Sequence, residues 1–184
     1  DQTTDTCTNN FATMNPLDNY YQSATFSEGN LKLSLATSPT NYNTSTIGVS
    51  TGKWYWEVKY VSDTDGSNNY ARIGVASQVA TATNFQLGDQ TGTIAYEAIN
   101  GRRKLQGTQT TYGDTYAPGD IIGVALNLDD DEMTFYKNGT AQDSGTAFDI
   151  SGVTNVTGNF FPAVEYNDSS HSGVFEFNFG NPPY

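Results

Sequence analysis

Segments in which apolar and polar residues alternate recur along the chain. One of them, residues 54–61, places four large side chains on one face: Trp54, Trp56, Val58 and Tyr60. Because the side chains of a β-strand point alternately to opposite faces of a sheet, this period of two predicts strands with one buried face. Similar segments or short apolar runs lie at 31–35, 72–76, 121–128, 133–137 and 174–179. No helical periodicity extends beyond one turn, so the pattern predicts an all-β protein.

Turn-forming residues separate the predicted strands. The acidic stretch 129–132 and the dipeptide Asn138-Gly139 each follow a predicted strand, and Asn-Gly favours a hairpin turn because both residues tolerate positive φ. Residues 121–128 are apolar on both faces, which predicts a central strand. Many short strands spaced roughly 8–12 residues apart, without crossover helices, predict an antiparallel two-sheet β-sandwich.

The beginning of the chain is less regular than the rest. Residues 1–23 are expected to form an irregular N-terminal extension that wraps the sandwich or reaches a neighbour, and residues 24–184 to form the sandwich. The single cysteine, Cys7, excludes an intrachain disulfide and leaves too few ligands for a Cys-based zinc site. An unpaired thiol is expected there, with pairing between chains as the alternative.

Charge and composition narrow the choice of function. Eight Lys and Arg residues stand against 20 Asp and Glu residues, a net charge of −12, which argues against nucleic-acid binding because such proteins normally carry a basic face. No apolar run approaches the roughly 18 residues of a membrane span, so membrane insertion is not expected. The chain holds 12 Tyr, 10 Phe and 2 Trp residues, which argues against disorder and predicts an aromatic core.

Six blocks of the sequence resemble, in the right order, the pattern of SPRY domains. They are Thr46–Val58, Ile73–Ala76, Tyr112–Asp114 with Gly119–Asp129, Thr134–Gly139, Phe160–Val164 and Phe177–Gly180. The resemblance covers about residues 24–184 and implies a concanavalin-like sandwich without intrinsic catalysis. It also implies that loops at one end of the sandwich grip a partner. From the alternating pattern itself, Trp54 and Trp56 are expected to bury large apolar area facing the interior between the sheets.

The richness in Thr, Asn and Ser is most similar to SPRY-type modules of tailed bacteriophages and environmental viruses. The opening segment 9–17 also resembles the stretch that precedes such modules. This resemblance implies a virion or extracellular location and a structural or attachment role in a fibre, tail or capsid decoration. The expected partner is a protein or further copies of the chain, with a cell-surface glycan, and hence a lectin function, as the alternative.

Three aromatic residues are candidates for binding that partner. By position within the SPRY pattern, the segments containing Tyr70, Phe85 and Tyr166 fall near the usual binding edge. Their rings could stack on sugars or anchor a protein surface. Core packing is the alternative interpretation for each of the three.

Arg102, Arg103 and Lys104 form the only cluster of basic residues in the sequence. They follow Asn100-Gly101, a turn signal, and are therefore expected to project from a hairpin. In so acidic a chain they are candidates for contact with an acidic patch of a neighbouring copy or with an anionic glycan. The alternative is a charged edge that discourages aggregation between strands.

Catalysis is not expected from this sequence. The single histidine, His171, has no Gly-x-Ser-x-Gly nucleophile motif to serve, and a lone loop histidine is usually a solvated surface group. Glycoside hydrolysis is the remaining enzymatic alternative, because concanavalin-like sandwiches also host glucanases. That reaction needs two carboxylates beside a sugar cleft. However, the Glu-x-Asp-x-x-Glu strand motif of sandwich-type glucanases does not occur.

One loop has the composition of a weak calcium site. Asp63 and Asp65, within 63–69, offer hard oxygen ligands, as Ca²⁺ prefers. The loop lacks the closing Glu of an EF-hand, and a solvated turn is the alternative interpretation. No other cofactor is expected.

Overall fold

The computed structural model describes residues 10–21, 23–37 and 40–180, and Cys7 lies outside these ranges. Fourteen β-strands and one 3₁₀ turn, Asp143–Gly145, form within them. The strands are β1 (Thr25–Ser27), β2 (Lys32–Leu35), β3 (Asn43–Thr44), β4 (Lys53–Asp63), β5 (Ala71–Ala76), β6 (Thr93–Glu97), β7 (Arg102–Leu105), β8 (Thr108–Thr111), β9 (Ile121–Asn127), β10 (Glu132–Lys137), β11 (Thr140–Ala141), β12 (Phe148–Asp149), β13 (Phe161–Tyr166) and β14 (Gly173–Asn178).

The strands are arranged in two antiparallel sheets. One sheet has eight strands in the order β1-β2-β14-β4-β9-β10-β11, with β12 added beside β10. The other has six strands in the order β3-β13-β5-β6-β7-β8. The inner faces of the two sheets pack on each other through one continuous apolar core. The prediction of an antiparallel two-sheet β-sandwich is therefore confirmed.

The strongest local signals in the sequence mark real elements. The apolar run 121–128 corresponds to β9, which lies between β4 and β10 and is central as predicted. The dipeptide Asn138-Gly139 joins β10 to β11 with φ angles of 50° and 79°. Positive φ at both central residues is the requirement that favours Asn-Gly in tight hairpins.

Aromatic rings fill the space between the sheets. Trp56, Val58 and Tyr60 of β4 are buried there, as the alternating pattern predicts. The ring of Tyr60 stacks on Phe175 of the neighbouring β14, with centroids 5.2 Å apart. Trp54 is the exception, because its side chain is 48% exposed and its Nε1–H donates to the Thr51 carbonyl at 2.7 Å. The expectation that Trp54 faces a closed interior is wrong, since it lies where β4 begins, at the rim of the sandwich.

The described part of the N-terminal segment crosses from one sheet to the other. Met14 is fully buried, and its N–H donates to the Asn30 carbonyl beside β2. The N–H of Asn15 donates to the Thr44 carbonyl of β3 in the other sheet. Residues 10–21 therefore lie against the sandwich and connect the two sheets along one side.

Candidate binding surface

Two crossovers between the sheets lie side by side at one end of the sandwich. Residues 64–70 join β4 to β5, and residues 167–172 join β13 to β14. Because β14 pairs with β4 and β13 pairs with β5, the two loops begin and end next to each other. The Asn167 N–H donates to the Tyr70 carbonyl at 2.9 Å, and the Thr64 N–H donates to the Ser172 carbonyl at 3.0 Å. We call these two loops the loop end.

Residues 77–92, here called the cover segment, connect β5 to β6 by folding over the outer face of the six-stranded sheet. Leu87 and Phe85 pack there on the ring of Tyr42 and on small residues of three strands: Ala76, Ala95 and Ala163. Gly88 makes the close approach possible, since a Cβ at this position would lie 2.7 Å from the Cβ of Lys104. The cover segment therefore reaches back toward the loop end.

A group of charged residues, here called the ion cluster, lies between the cover segment and the six-stranded sheet. Four of its side chains come from the sheet and are at most 10% exposed, and the fifth, Asp89, belongs to the cover segment and is 27% exposed. Arg72 of β5 is flanked by Glu97 of β6 and Glu165 of β13, which are its direct partners in the two neighbouring strands. The Arg72 guanidinium lies 3.1 Å from Glu97, 2.9 Å from Asp89 and 3.6 Å from Glu165. Lys104 Nζ lies 2.6 Å from Asp89. Two cations and three carboxylates thus share one water-poor site.

The ion cluster holds the backbone of the cover segment in place. The Leu87 N–H donates to Glu165 Oε2 at 2.7 Å, and the Leu87 carbonyl accepts from Arg72 Nη1 at 3.3 Å. Burial raises the pKa of Glu165 to about 7, although Arg72 and the Leu87 N–H act in the opposite direction. Glu165 Oε1 and Arg72 Nε have no hydrogen-bond partner among the described residues.

The amide of Asn167 connects the ion cluster to the surface. One terminal atom of this amide lies 2.7 Å from Arg72 Nη2, and the other lies 2.9 Å from Gln86 Nε2. Because a guanidinium only donates hydrogen bonds, the atom facing Arg72 is the amide oxygen. Asn167 and Gln86 are half-buried. They bring the cover segment and the loop end together as one surface.

The three aromatic residues predicted as binding candidates lie in three different environments. Tyr70 is half-buried at the loop end, with its ring edge-to-face on Tyr166 at 6.4 Å. Phe85 is half-buried in the cover segment, 6.0 Å from the Tyr42 ring. Tyr166 is fully buried between the sheets. The core-packing interpretation therefore fits Tyr166, and only Tyr70 and Phe85 present part of a ring to the surface.

The basic residues 102–104 do not project together from a hairpin. They form most of β7, so Arg103 and Lys104 point to opposite faces of the sheet. The Arg103 guanidinium lies over the Phe148 ring at 4.6 Å, and Lys104 is buried in the ion cluster. Arg102 donates to Gln109 Oε1 at 3.3 Å on the neighbouring edge strand β8. The expectation of one projecting basic patch is wrong, because strand geometry separates its members.

The two aspartates of the predicted calcium loop have different surroundings. Asp63 Oδ1 accepts from the N–H groups of Asp65 and Gly66, and its Oδ2 accepts from the Tyr60 hydroxyl. Both Asp63 oxygens therefore already hold the loop together. Asp65 lies near His171 and Asp168 of the other crossover loop. The calcium site itself stays a prediction.

The sequence does not reveal the ion cluster as a unit. Arg72, Glu97 and Glu165 occur as isolated charges in strands that are otherwise mainly apolar. Such charges are a usable signal, since a charge in a strand interior implies a paired partner. The partner cannot be chosen until the strand register is known. Here that register puts Arg72 between the two glutamates.

A second surface feature lies at the opposite end of β4. An apolar recess of about 110 Å³ lies there, and its lining includes Trp54, Trp56, Ile47, Val49 and Pro162. Trp56 is buried, and its indole N–H has no acceptor among the described residues. The sequence pattern assigns both tryptophans to the core, so it does not predict this recess.

The hydrogen-bond partner of the His171 ring is an aspartate of the same loop. His171 Nδ1 lies 2.9 Å from Asp168 Oδ2, and no hydroxyl group of the described residues is hydrogen-bonded to the ring. The hydrogen bond to Asp168 raises the pKa of His171. Within the same residues, no helix is long and apolar enough to cross a membrane.

Comparison with curated proteins finds relatives that share this domain. Ran-binding protein 9 of Xenopus tropicalis is 30% identical over 143 residues, which cover 77% of this chain and 24% of that protein. A probable ATP-dependent RNA helicase, ddx1, of Dictyostelium discoideum is 30% identical over 139 residues, which cover 76% of this chain and 16% of the helicase. The chain thus spans about a quarter or less of the length of these two relatives.

Solved structures and a family model identify the domain that these relatives share with the chain. The crystal structure of the SPRY domain of human HERC1 matches with a TM-score of 0.73 and 19% identity, over 91% of this chain and 98% of that one. Stonustoxin matches with a TM-score of 0.66 and 19% identity, over 92% of this chain and 27% of the toxin chain. The model of the SPRY domain family matches residues 53–182, which is more than half of the sequence. The chain therefore belongs to the SPRY domain family.

Proposed function

We propose that this chain is a non-catalytic protein-binding module whose partner docks on the loop end and the adjoining cover segment. The observation that carries the proposal is the fixed position of the cover segment, whose Leu87 is held through its N–H by Glu165 and through its carbonyl by Arg72. Loops already held in one conformation lose little conformational entropy when a partner binds. The relatives named Ran-binding protein 9 and Ran-binding protein 10 are themselves named for binding a partner.

The chemistry of this surface indicates what such a partner offers. Thr83 and Asn84 are exposed, and Gln86 and Asn167 are half-buried, so the cover segment and the loop end present hydroxyl and amide groups. Asp65 and Asp168 add negative charge at the loop end of a chain with net charge −12. We therefore propose a polar partner surface with hydrogen-bond donors and positive charge, which the acidic domain would attract over a distance.

A peptide-display selection against the folded domain tests this proposal. Binders selected from a random library should lose affinity when Gln86→Ala or Asn167→Ala is introduced. The control is Gln109→Ala, which removes the same amide group from the exposed edge strand β8. Binders that tolerate both surface variants but are lost with Gln109→Ala would place recognition on the sheet edge and contradict the proposal.

The setting that we propose is the surface of a virus particle or another extracellular surface, where repeated copies add avidity. This part rests only on the resemblance of the Thr-, Asn- and Ser-rich sequence to bacteriophage modules. The two relatives compared above do not support it, because they are proteins of Xenopus and Dictyostelium. Antibody labelling of purified particles and of the secreted fraction tests it, and a signal confined to the cell interior would contradict it. Mass measurement over a concentration series tests self-association against the 19.9 kDa of one chain.

Glycan binding is a second candidate function, and the exposed rings beside the recess favour it. Trp54 and Tyr55 are 48% and 53% exposed, and both line the recess. Aromatic faces of this kind stack on sugar rings. A glycan array probed with the wild-type domain and with Trp54→Ala distinguishes the two functions. Glycan signals that disappear with Trp54→Ala but survive Gln86→Ala would favour the lectin.

A further inference from the structure

The two crossover loops bring three metal-ligating side chains together. One donor atom each of Asp65, Asp168 and His171 lies within 4.8 Å of the other two. Asp65 belongs to the loop between β4 and β5, and the other two belong to the loop between β13 and β14. Asp65 is therefore more than 100 positions away from its two neighbours in the sequence, and only the fold joins them.

The two carboxylates are held in place by hydrogen bonds that leave lone pairs free to bind a metal ion. Asp65 Oδ2 accepts from the Asn68 N–H at 3.0 Å, and Asp168 Oδ1 accepts from the Ser170 N–H at 2.7 Å. Asp168 Oδ2 faces His171 Nδ1 at 2.9 Å. Each carboxylate oxygen has several lone-pair sites, so one hydrogen bond does not exhaust it. Asp63 is outside the group, because both its oxygens hold the loop.

The spacing of the donors suits one metal ion. Ligand atoms that bind zinc at about 2.0–2.2 Å in tetrahedral geometry lie roughly 3.3–3.6 Å from one another. Donors within 4.8 Å reach that spacing through side-chain movements on the order of 1 Å, and all three side chains are only half-buried. Their partial exposure also leaves room for water as a further ligand, as in zinc sites with three protein ligands.

The donor types decide which class of ion fits. Calcium takes six to eight oxygen ligands, whereas this group offers one imidazole nitrogen and two carboxylates. Imidazole combined with carboxylate suits divalent first-row transition metals. The two carboxylates also suit a cation in a chain that carries a net charge of −12.

We propose that Asp65, Asp168 and His171 form a binding site for a divalent first-row transition-metal ion, with Zn²⁺ as the test ion. A bound ion would clamp the two crossover loops to each other. The site stands or falls independently of the proposed protein partner, because it needs only this chain and the ion.

His171 makes the site directly observable, because it is the only histidine in the sequence. Tag-free protein is stripped with a chelator and titrated with Zn²⁺ while the histidine ring resonances are followed by NMR. We expect those resonances to shift with saturation at one equivalent. Calorimetry on His171→Asn and Asp65→Asn should show affinity weakened at least roughly tenfold, since losing even an outer partner of a ligand costs that much.

Two variants serve as controls. Cys7→Ser removes the only thiol, and Asp149→Asn removes a carboxylate on β12 without touching the cluster. Both should bind Zn²⁺ as the wild type does. The proposal is overturned if the His171 resonances do not respond to Zn²⁺, if His171→Asn binds Zn²⁺ as tightly as the wild type does, or if Cys7→Ser abolishes binding. Millimolar Ca²⁺ should leave the His171 resonances unchanged, and displacement of Zn²⁺ by Ca²⁺ would contradict the assigned ion class.

Discussion

Glu165 is completely buried on a sheet face that the cover segment shields from water, and one of its oxygens has no partner among the described residues. Burial of a carboxylate favours its protonated form, and here it raises the pKa to about 7 in spite of the nearby Arg72. The unfolded chain has the ordinary carboxyl pKa. At a pH between 4.5 and about 7, the Glu165 carboxyl therefore keeps its proton in the folded state and loses it in the unfolded state.

This difference predicts a pH dependence of stability. The contribution of Glu165 is fully present below its unfolded pKa and is lost as the pH rises through about 7. The free energy of unfolding of the wild type should therefore fall between pH 4.5 and pH 7.5, by up to about 3 kcal/mol from this group. Urea denaturation followed by tryptophan fluorescence at several pH values measures the fall.

Two variants distinguish the share of Glu165 in this pH dependence from the share of other carboxyl groups. Glu165→Gln keeps an acceptor for the Leu87 N–H but cannot titrate, so its pH profile should be clearly flatter. Asp18, whose pKa burial raises to about 6 despite hydrogen bonds from Thr44, contributes in the same direction. Asp18→Asn is the control for that share. A Glu165→Gln profile as steep as that of the wild type would show that Glu165 is not the group responsible.

The fluorescence of the two tryptophans tests whether Trp54 is exposed at the rim of the sandwich while Trp56 is buried. Trp56 is buried, whereas Trp54 is half-exposed beside the recess. Emission from Trp54→Phe should therefore be shifted to shorter wavelength and resist acrylamide, and emission from Trp56→Phe should be quenched readily. Circular dichroism verifies that both variants are folded. Equal quenching in the two variants would contradict the exposed position of Trp54.

At the scale of elements, the sequence predicts where the strands lie and which of their faces is buried, but not how far the opposite sheet covers that face. The alternation at 54–61 predicts β4, and the apolar run at 121–128 predicts β9. Alternation assigns a side to each residue but does not show where the opposite sheet ends. For that reason the pattern puts Trp54 in the core. It also does not reveal that Arg102–Lys104 lie within one strand, β7, whose alternation turns Arg103 to the face opposite to Lys104.

The cover segment cannot be predicted for a related reason. Nothing in the alternating pattern shows that a connection of this length lies on the outer face of a sheet. Ala76, Ala95 and Ala163 form the apolar floor beneath it, but they come from three separate strands. Their proximity depends on the pairing register, which the sequence does not specify. The ion cluster escapes prediction for the same reason.

Gly88 gives a test of how closely the cover segment packs. Its φ of +83° disfavours any other residue, and a Cβ there would lie 2.7 Å from Lys104 and 2.9 Å from Ala95. Gly158 has nearly the same φ, +84°, but a Cβ at that position would have no neighbour within 4 Å. Gly158→Ala should therefore cost about 1–2 kcal/mol of stability from the backbone alone.

Gly88→Ala should cost that amount and a further 1–3 kcal/mol, roughly, from overpacking. Urea denaturation measures both variants, and hydrogen exchange shows where the loss falls. The amides of residues 78–92 should exchange faster in Gly88→Ala, while those of the central strand β9 keep their relative protection. Equal costs for the two variants would mean that the cover segment does not pack closely on the sheet.

At the scale of the whole molecule, the two ends of the sandwich have different chemistry. The loop end and cover segment are polar and acidic and rest on buried ion pairs. The other end of β4 carries the apolar recess with its exposed tryptophan. The family and the sandwich are predictable from the ordered sequence blocks, because those residues are mostly turn and core residues. The SPRY pattern also places the segments of Tyr70, Phe85 and Tyr166 near the proposed binding surface. It does not single out Gln86 or Asn167 within them, because the loop residues follow no common pattern.

The most direct test of the proposed binding surface is where a partner protects the domain. Hydrogen–deuterium exchange is measured on the wild-type domain alone and with a saturating display-selected binder. The structure predicts slower exchange in residues 64–70, 80–90 and 167–172, with no change around Ile47, Trp54 and Gln109. Protection confined to the recess or to the edge strand β8, with residues 64–70, 80–90 and 167–172 unchanged, would contradict the central claim that partners dock on the loop end.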